Sequence, residues 1–230
     1  TYSGTLNVDA GAMLVFPSGA HTWNSGLDLT GTGNLTLNGA TLTLGGAFSF
    51  GALDPLFSMS AGTLTSASAL TLNQAFAWSG GTITGAGLLT TSGATTITNA
   101  PLLNGKTWDN AGTLTLATGA SNRLQLTNDA VFNNQAGATV LIDSTYGIAF
   151  EHFPGAAAHQ VNNAGLIRKT NNAVQTLLNA GAVTNAGTGI IQVDAGTLTV
   201  TVFPSNSGTL NVAAAATLST NNNNLTNAAT

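Results

Sequence analysis

The sequence predicts an all-β fold, a parallel β-helix (solenoid) of roughly ten irregular turns, wound right-handed as a single domain over residues 1–230. Three observations predict it. The composition is poor in charge and rich in strand and turn formers. A short phrase recurs along the chain at helix-free intervals. Within each recurrence the apolar runs are too short to bury a face alone.

Composition comes first. Only 5% of the 230 residues are charged, while 43% are hydrophobic, which is not the low-hydrophobicity, high-charge signature of disorder. Polarity is supplied instead by 37 Thr and 25 Asn, beside 28 Gly. Thr favours strands, and Gly and Asn favour turns and positive φ. The net charge is −4 and only Lys106, Arg123, Arg168 and Lys169 are basic, so a phosphate-binding surface, and with it nucleic acid, is not expected. Cysteine is absent, which rules out disulfides and thiolate metal sites and suits a secreted protein. Polar residues interrupt every apolar run, so no segment offers the ~20 apolar residues of a membrane helix, and no membrane insertion is expected. The start at Thr1, without Met or a leader pattern, reads as a processed or excised chain.

The phrase opens on an aromatic or Val, reaches Asn or Ser within three positions, then Gly, then alternates. Its openings at Trp23, Trp78, Trp108, Phe132, Val161, Val183 and Phe203 stand 55, 30, 24, 29, 22 and 20 residues apart. The long first step contains the worn copy "SAGTLTSASALTLN". Each unit holds runs such as "TLTL", "TITG" or "IIQV". Stacked turn on turn, such runs pair with their copies and turn Leu, Ile and Val into one continuous core. Gly and Asn take the corners, where φ turns positive. The aromatics share one repeat position, which places them in the core. A membrane barrel needs strands of ~9–11 residues and aromatic girdles, and a β-sandwich needs no recurrent phrase. One stretch departs from the repeat: "YGIAFEHFPGAAAH" reads as an enlarged loop around 143–160. The end, "NNNNLTNAAT", reads as a polar tail or a lead-in to further repeats.

The units "VFNNQAGATVLID", "VNNAGLIRKT", "VTNAGTGIIQVDAGTLTV" and "NSGTLNVAAAATLST", with "WSGGTITGAGLLTTSGATTIT", resemble the repeat regions of large bacterial surface adhesins of the filamentous-haemagglutinin and autotransporter type. The resemblance is clearest over residues 76–220 and is one of repeat style. It implies an exported, extracellular or cell-surface stalk or fibre. Its partners would be other copies of itself, end to end or laterally, or a cell-surface glycan.

Two constellations could carry chemistry and one is architectural. Charge concentrates between Asp143 and Lys169. An enzymatic reading, a polysaccharide lyase or hydrolase, takes Asp143, Glu151 and Arg168 as its catalytic groups. The competing reading, favoured here, is a cross-turn ion pair of Asp143 with Arg168, one turn apart, beside a loop whose His152, His159 and Glu151 are solvated; no enzyme activity is then expected. The spacing of those three matches no metal-site pattern, so neither a metal nor a cofactor is expected. The other Asp residues lie beside turns, where Asp bonds its own backbone. The second constellation is a ladder of outward Thr pairs, clearest at Thr41, Thr43, Thr63, Thr65, Thr82 and Thr84, and continued by Thr96, Thr98, Thr113, Thr115, Thr197 and Thr199. Flat Thr arrays on β-helices resemble ice-binding faces, although the uneven spacings argue against one face throughout. The third is Asn110, Asn134, Asn163, Asn185 and Asn206, at the same place in successive phrases. Stacked amides there would bond from turn to turn as structural ladders.

Overall fold

The computed structural model describes residues 1–221; the end of the Asn-rich tail lies outside them. Among the described residues there is no helix, and the strands stack in parallel in about 10 turns. Each full turn contributes three strands, and each pairs with its counterpart one turn on. The first stack runs from Met13–Phe16 to Thr209–Val212 and the second from Ala20–Trp23 to Thr217–Ser219. The third stack holds Phe48–Phe50, Leu70–Leu72, Leu89–Thr91, Thr107–Asn110, Val131–Asn134, Gln160–Asn163, Ala182–Asn185 and Ser205–Asn206. At a rise of ~4.8 Å per turn the rod is roughly 50 Å long.

Burial alternates strictly along most strands, as in Thr113–Leu116, where Leu114 and Leu116 point inward and the threonines do not. The inward side chains form one core from Phe16 to Phe203. A row of aromatic rings runs through its first two thirds. Phe50, Phe57, Phe76, Trp78, Trp108, Phe132 and Phe150 follow one another at centroid separations between 5.0 and 6.0 Å. Trp23, Trp78, Trp108, Phe132 and Phe203 are all buried, but they do not share one repeat position. Trp23 lies in the second stack, opposite Leu44, and Trp78 in the first, opposite Ile97; only Trp108 and Phe132 are register partners, in the third. The phrase therefore begins on different strands in different turns, because any strand-to-Gly corner reads alike.

The enlarged loop is smaller than the sequence suggests. Residues Ile148–His152 form a strand of the second stack, pairing with Leu124–Thr127 before them and Val174–Leu178 after. The bulge itself is confined to residues 153–159. The strand's "IAF" run is apolar, with Ala149 and Phe150 both buried, which holds it in the ladder.

Candidate functional site

The corners between the third and first stacks carry the deepest polar structure. Asn110 Nδ2 donates to Asn134 Oδ1 (2.9 Å), Asn134 to Asn163 (2.8 Å), Asn163 to Asn185 (2.7 Å) and Asn185 to Asn206 (2.7 Å). All five are buried. The second hydrogen of each amide is also used: Asn134 donates to Leu166 O (3.1 Å), Asn163 to Ile190 O (3.1 Å) and Asn185 to Thr209 O (3.3 Å). Toward the N-terminus the chain of bonds continues through Thr91, whose hydroxyl meets Asn110 Oδ1 at 3.4 Å and accepts from Trp108 Nε1 at 3.0 Å. A buried polar network of this kind is stabilising because every member is satisfied.

A second ladder runs on the outer face of the same strands. Asn133 donates to Asp109 (2.7 Å), Asn162 to Asn133 (2.9 Å), and the Thr184 hydroxyl to Asn162 (2.8 Å). The sequence announces it only as the doubled "NN" of "FNNQ" and "VNNA". Asp109 thus reaches the next turn; of the scattered aspartates Asp54 does bond local backbone, accepting from Gly51 N at 2.6 Å.

The threonines fall into two families. Thr41, Thr63 and Thr82 are register partners, as are Thr22, Thr43, Thr65 and Thr84. They make a two-column grid on the outer face of the second stack, spaced ~4.8 Å between turns and ~6.7 Å along the strand. Ala20 precedes and Leu102 and Asn104 follow it. Thr96, Thr113 and Thr115 belong to the first stack, and Thr197 and Thr199 lie far along the second. Two stacks interleaved in one sequence produce the uneven spacings.

Asp143, Glu151 and Arg168 are not assembled into one site. Register sets Arg168 opposite Leu141 and Gln192, which leaves Asp143 and Asp194 at equivalent positions two residues further along on the turns before and after; its Nε donates to Asp194 Oδ2 (2.6 Å), not to Asp143. Asp143 accepts from the Thr170 hydroxyl instead (2.5 Å). The expected Asp143–Arg168 pair does not form. Glu151 is not solvated: its side chain is 15% exposed. It accepts from Arg123 Nε (2.5 Å), Gln125 Nε2 (2.8 Å) and the Tyr146 hydroxyl (2.7 Å), while the Arg123 guanidinium lies 4.1 Å from the Tyr146 ring centroid. Burial works to raise the Glu151 pKa, but the bonds from Arg123, Gln125 and Tyr146 outweigh it and hold the carboxyl below its ordinary range. A carboxylate with both oxygens taken and a depressed pKa is a poor general acid.

Three buried ionisable groups were not legible as such. Lys106 and Lys169 are 2% and 0% exposed. Neither ammonium meets a carboxylate. Lys106 Nζ donates to Ser66 Oγ (2.8 Å), Ser66 O (3.2 Å) and Gly85 O (3.2 Å), stitching three turns at one corner. Lys169 Nζ donates to the Asn171 carbonyl and to Ala195 O (2.9 Å). His159, expected in solvent, is 1% exposed and faces His152. Among the described residues no group of three His, Cys, Asp or Glu is placed to hold a metal ion. No family model, curated protein or solved structure matches the chain.

Proposed function

We propose that the chain is a structural and adhesive rod segment of an exported bacterial surface protein or extracellular fibre, engaging copies of itself or cell-surface glycans. The observation that carries this reading is the use of polar groups: amides, hydroxyls and carboxylates are spent on neighbouring turns, in ladders that run along the rod. Both ends of the described stack leave core side chains half covered, Tyr2, Leu6 and Leu14 at one and Leu210, Ala216 and Leu218 at the other. Strand edges with half-covered cores are surfaces that further turns, or a second copy, would complete. Negative-stain microscopy of the native protein at low and high concentration tests assembly, and a glycan array tests adhesion. Rods that join end to end or side by side as concentration rises, or selective glycan retention, is the expected result. Separate short rods at every concentration, together with an empty array, would remove the reading.

The Thr grid favours a second reading, ice binding. Its seven hydroxyl and methyl pairs, Thr22 to Thr84, form an uncharged two-column lattice in register. This predicts thermal hysteresis that Thr65→Tyr abolishes without unfolding the protein; no hysteresis in the unaltered protein ends it.

A further inference from the structure

We propose that His152 and His159 form an acid-released latch that holds the 153–158 flap against the preceding turn. In the turns on either side, the chain crosses from the second stack to the third in three residues, 128–130 and 179–181. Here it takes seven, 153–159. The extra residues arch over the turn before them. Thr127 Oγ1 donates to Pro154 O (2.9 Å), Asp129 Oδ1 accepts from Ala158 N (2.8 Å), and Asp129 N donates to Ala156 O (3.3 Å). Gly155, at φ +146°, is packed so tightly that a Cβ there would fall well under 3.0 Å from Thr127 Oγ1. Thr127 and Ala130 are buried with the flap in this place, though residues 153–158 are themselves exposed.

The mouth of the flap is closed by the two imidazoles. His152 Nδ1 stands 3.0 Å from His159 Nε2. A hydrogen bond at that distance needs one proton between the two nitrogens. A first added proton is accommodated by the pair, because the one N–H between the rings still finds an acceptor. A second is not. It would set N–H against N–H and charge against charge, and it would place a full charge on a buried ring whose Nδ1 has no hydrogen-bond partner. The His159 backbone is held in place, its carbonyl accepting from Ala182 N (2.9 Å) in the following turn.

The surrounding charges do not rescue the doubly protonated pair. Asp129, from the preceding turn, is the one carboxylate facing His159, and it is already engaged by the flap. Glu151, beside His152 in sequence, is held by Arg123, Gln125 and Tyr146. The crossing that follows, Asn179-Ala180-Gly181, has no ionisable group. Burial first, then the His152 charge, lower the His159 pKa, while Asp129 works to raise it. The open flap therefore binds a proton more readily than the closed one. Closure is complete above the ordinary His value of ~6.5 and is lost progressively as pH falls below it.

Hydrogen exchange of the peptide spanning 153–160, corrected for the intrinsic pH dependence of exchange, tests the latch at about pH 7.5 and about pH 5. In the unaltered protein, protection of the flap amides falls roughly tenfold or more at the lower pH while the Asn163 strand stays protected. His152→Gln keeps a hydrogen-bonding group without the charge and retains flap protection at both values. Gly155→Ala displaces the flap sterically and marks the open exchange rate at neutral pH. Equal protection of the unaltered flap at both values, acid opening undiminished in His152→Gln, or loss of protection over the whole coil at once would each overturn the proposal.

Discussion

A buried Lys106 with no carboxylate beside it sets the terms at the residue scale. Burial pushes its pKa down to about 8 from the ordinary 10.5, and burial lowers Lys169 as well. The unfolded chain keeps these protons to higher pH than the native one. Stability should therefore rise as pH climbs from about 8 toward 10.5, the direction opposite to that of a lysine held by a carboxylate. Tyr146, raised by its hydrogen bond to Glu151 and by burial, opposes this above ~10. The urea midpoint should increase between about pH 8 and about pH 9.5, and Lys106→Met should flatten the increase. A midpoint indifferent to pH in the unaltered protein would contradict the assignment. The amides give a second contrast. Asn163→Ala strips partners from Asn134 Nδ2, Asn185 Oδ1 and Ile190 O, the first two on buried residues, and should cost roughly 2–5 kcal/mol. Asn162→Ala, one residue away on the half-exposed outer ladder, should cost under about 1 kcal/mol. Equal losses in denaturant melts would mean the inner ladder is not special.

The phrase that recurs along the chain is, at the scale of the element, a corner. Its glycine has a physical reason that periodicity alone does not give. Gly112, Gly165, Gly189 and Gly208 do not have positive φ; a Cβ at each would fall well under 3.0 Å from a carbonyl or a ladder amide of a neighbouring corner. At Gly165 the obstacles are Ala138 O, Gln135 O and Asn134 Nδ2. At Asn110, Asn163 and Asn206 the Asn and the Gly two residues on therefore act as one device: the amide bonds to the neighbouring corner, and the missing side chain lets that corner approach; after Asn185 this role falls to Gly189, since Gly187 has room for a side chain. Gly137, by contrast, has φ +82° with open space around it. Gly137→Asn should be tolerated within about 1 kcal/mol, since Asn enters the left-handed region readily. Gly165→Asn should destabilise by several-fold more or prevent folding, because no conformation of its own relieves a collision between turns; comparable melting temperatures for the two variants would refute this. The parallel coil, its core and the Asn ladder were legible because they repeat, and register multiplies a weak local signal. The partners of Arg168 and Glu151 were not. Asp143 and Asp194 stand at the same offset from Arg168, on the turns before and after it, so spacing alone does not choose between them. Lys106 was illegible because it sits at a corner, where no alternation marks which side chain turns inward; Lys169 ends an alternating strand that points it inward beside Ile142 and Val193, and only its charge hides this.

For the whole molecule, neighbour-only contact is the governing property, and it makes length adjustable in units of one turn. Residues 161–182 are one such unit, because Val161 pairs with Val183 and Asn163 with Asn185. Removing them joins Gln160 to Val183. Phe132 then faces Val183, Asn134 can donate to Asn185 as it did to Asn163, and Thr139 meets Ile190 in place of Leu166. The losses are local. Ser144 O and Tyr146 O lose the Gln175 amide, and Asp194 loses Arg168 on the surface, a pair worth little. Lys169 leaves together with its Asn171 partner, so no buried charge is stranded. The shortened protein should melt cooperatively at a somewhat lower temperature, with a rod shorter by ~4.8 Å in solution scattering. Removing residues 161–171 alone deletes half a turn and sets first-stack positions against second-stack ones, reversing inward and outward faces downstream. That variant should not form a cooperative fold. If the half-turn deletion were as stable as the full-turn deletion, stacking register would not be what holds the coil together.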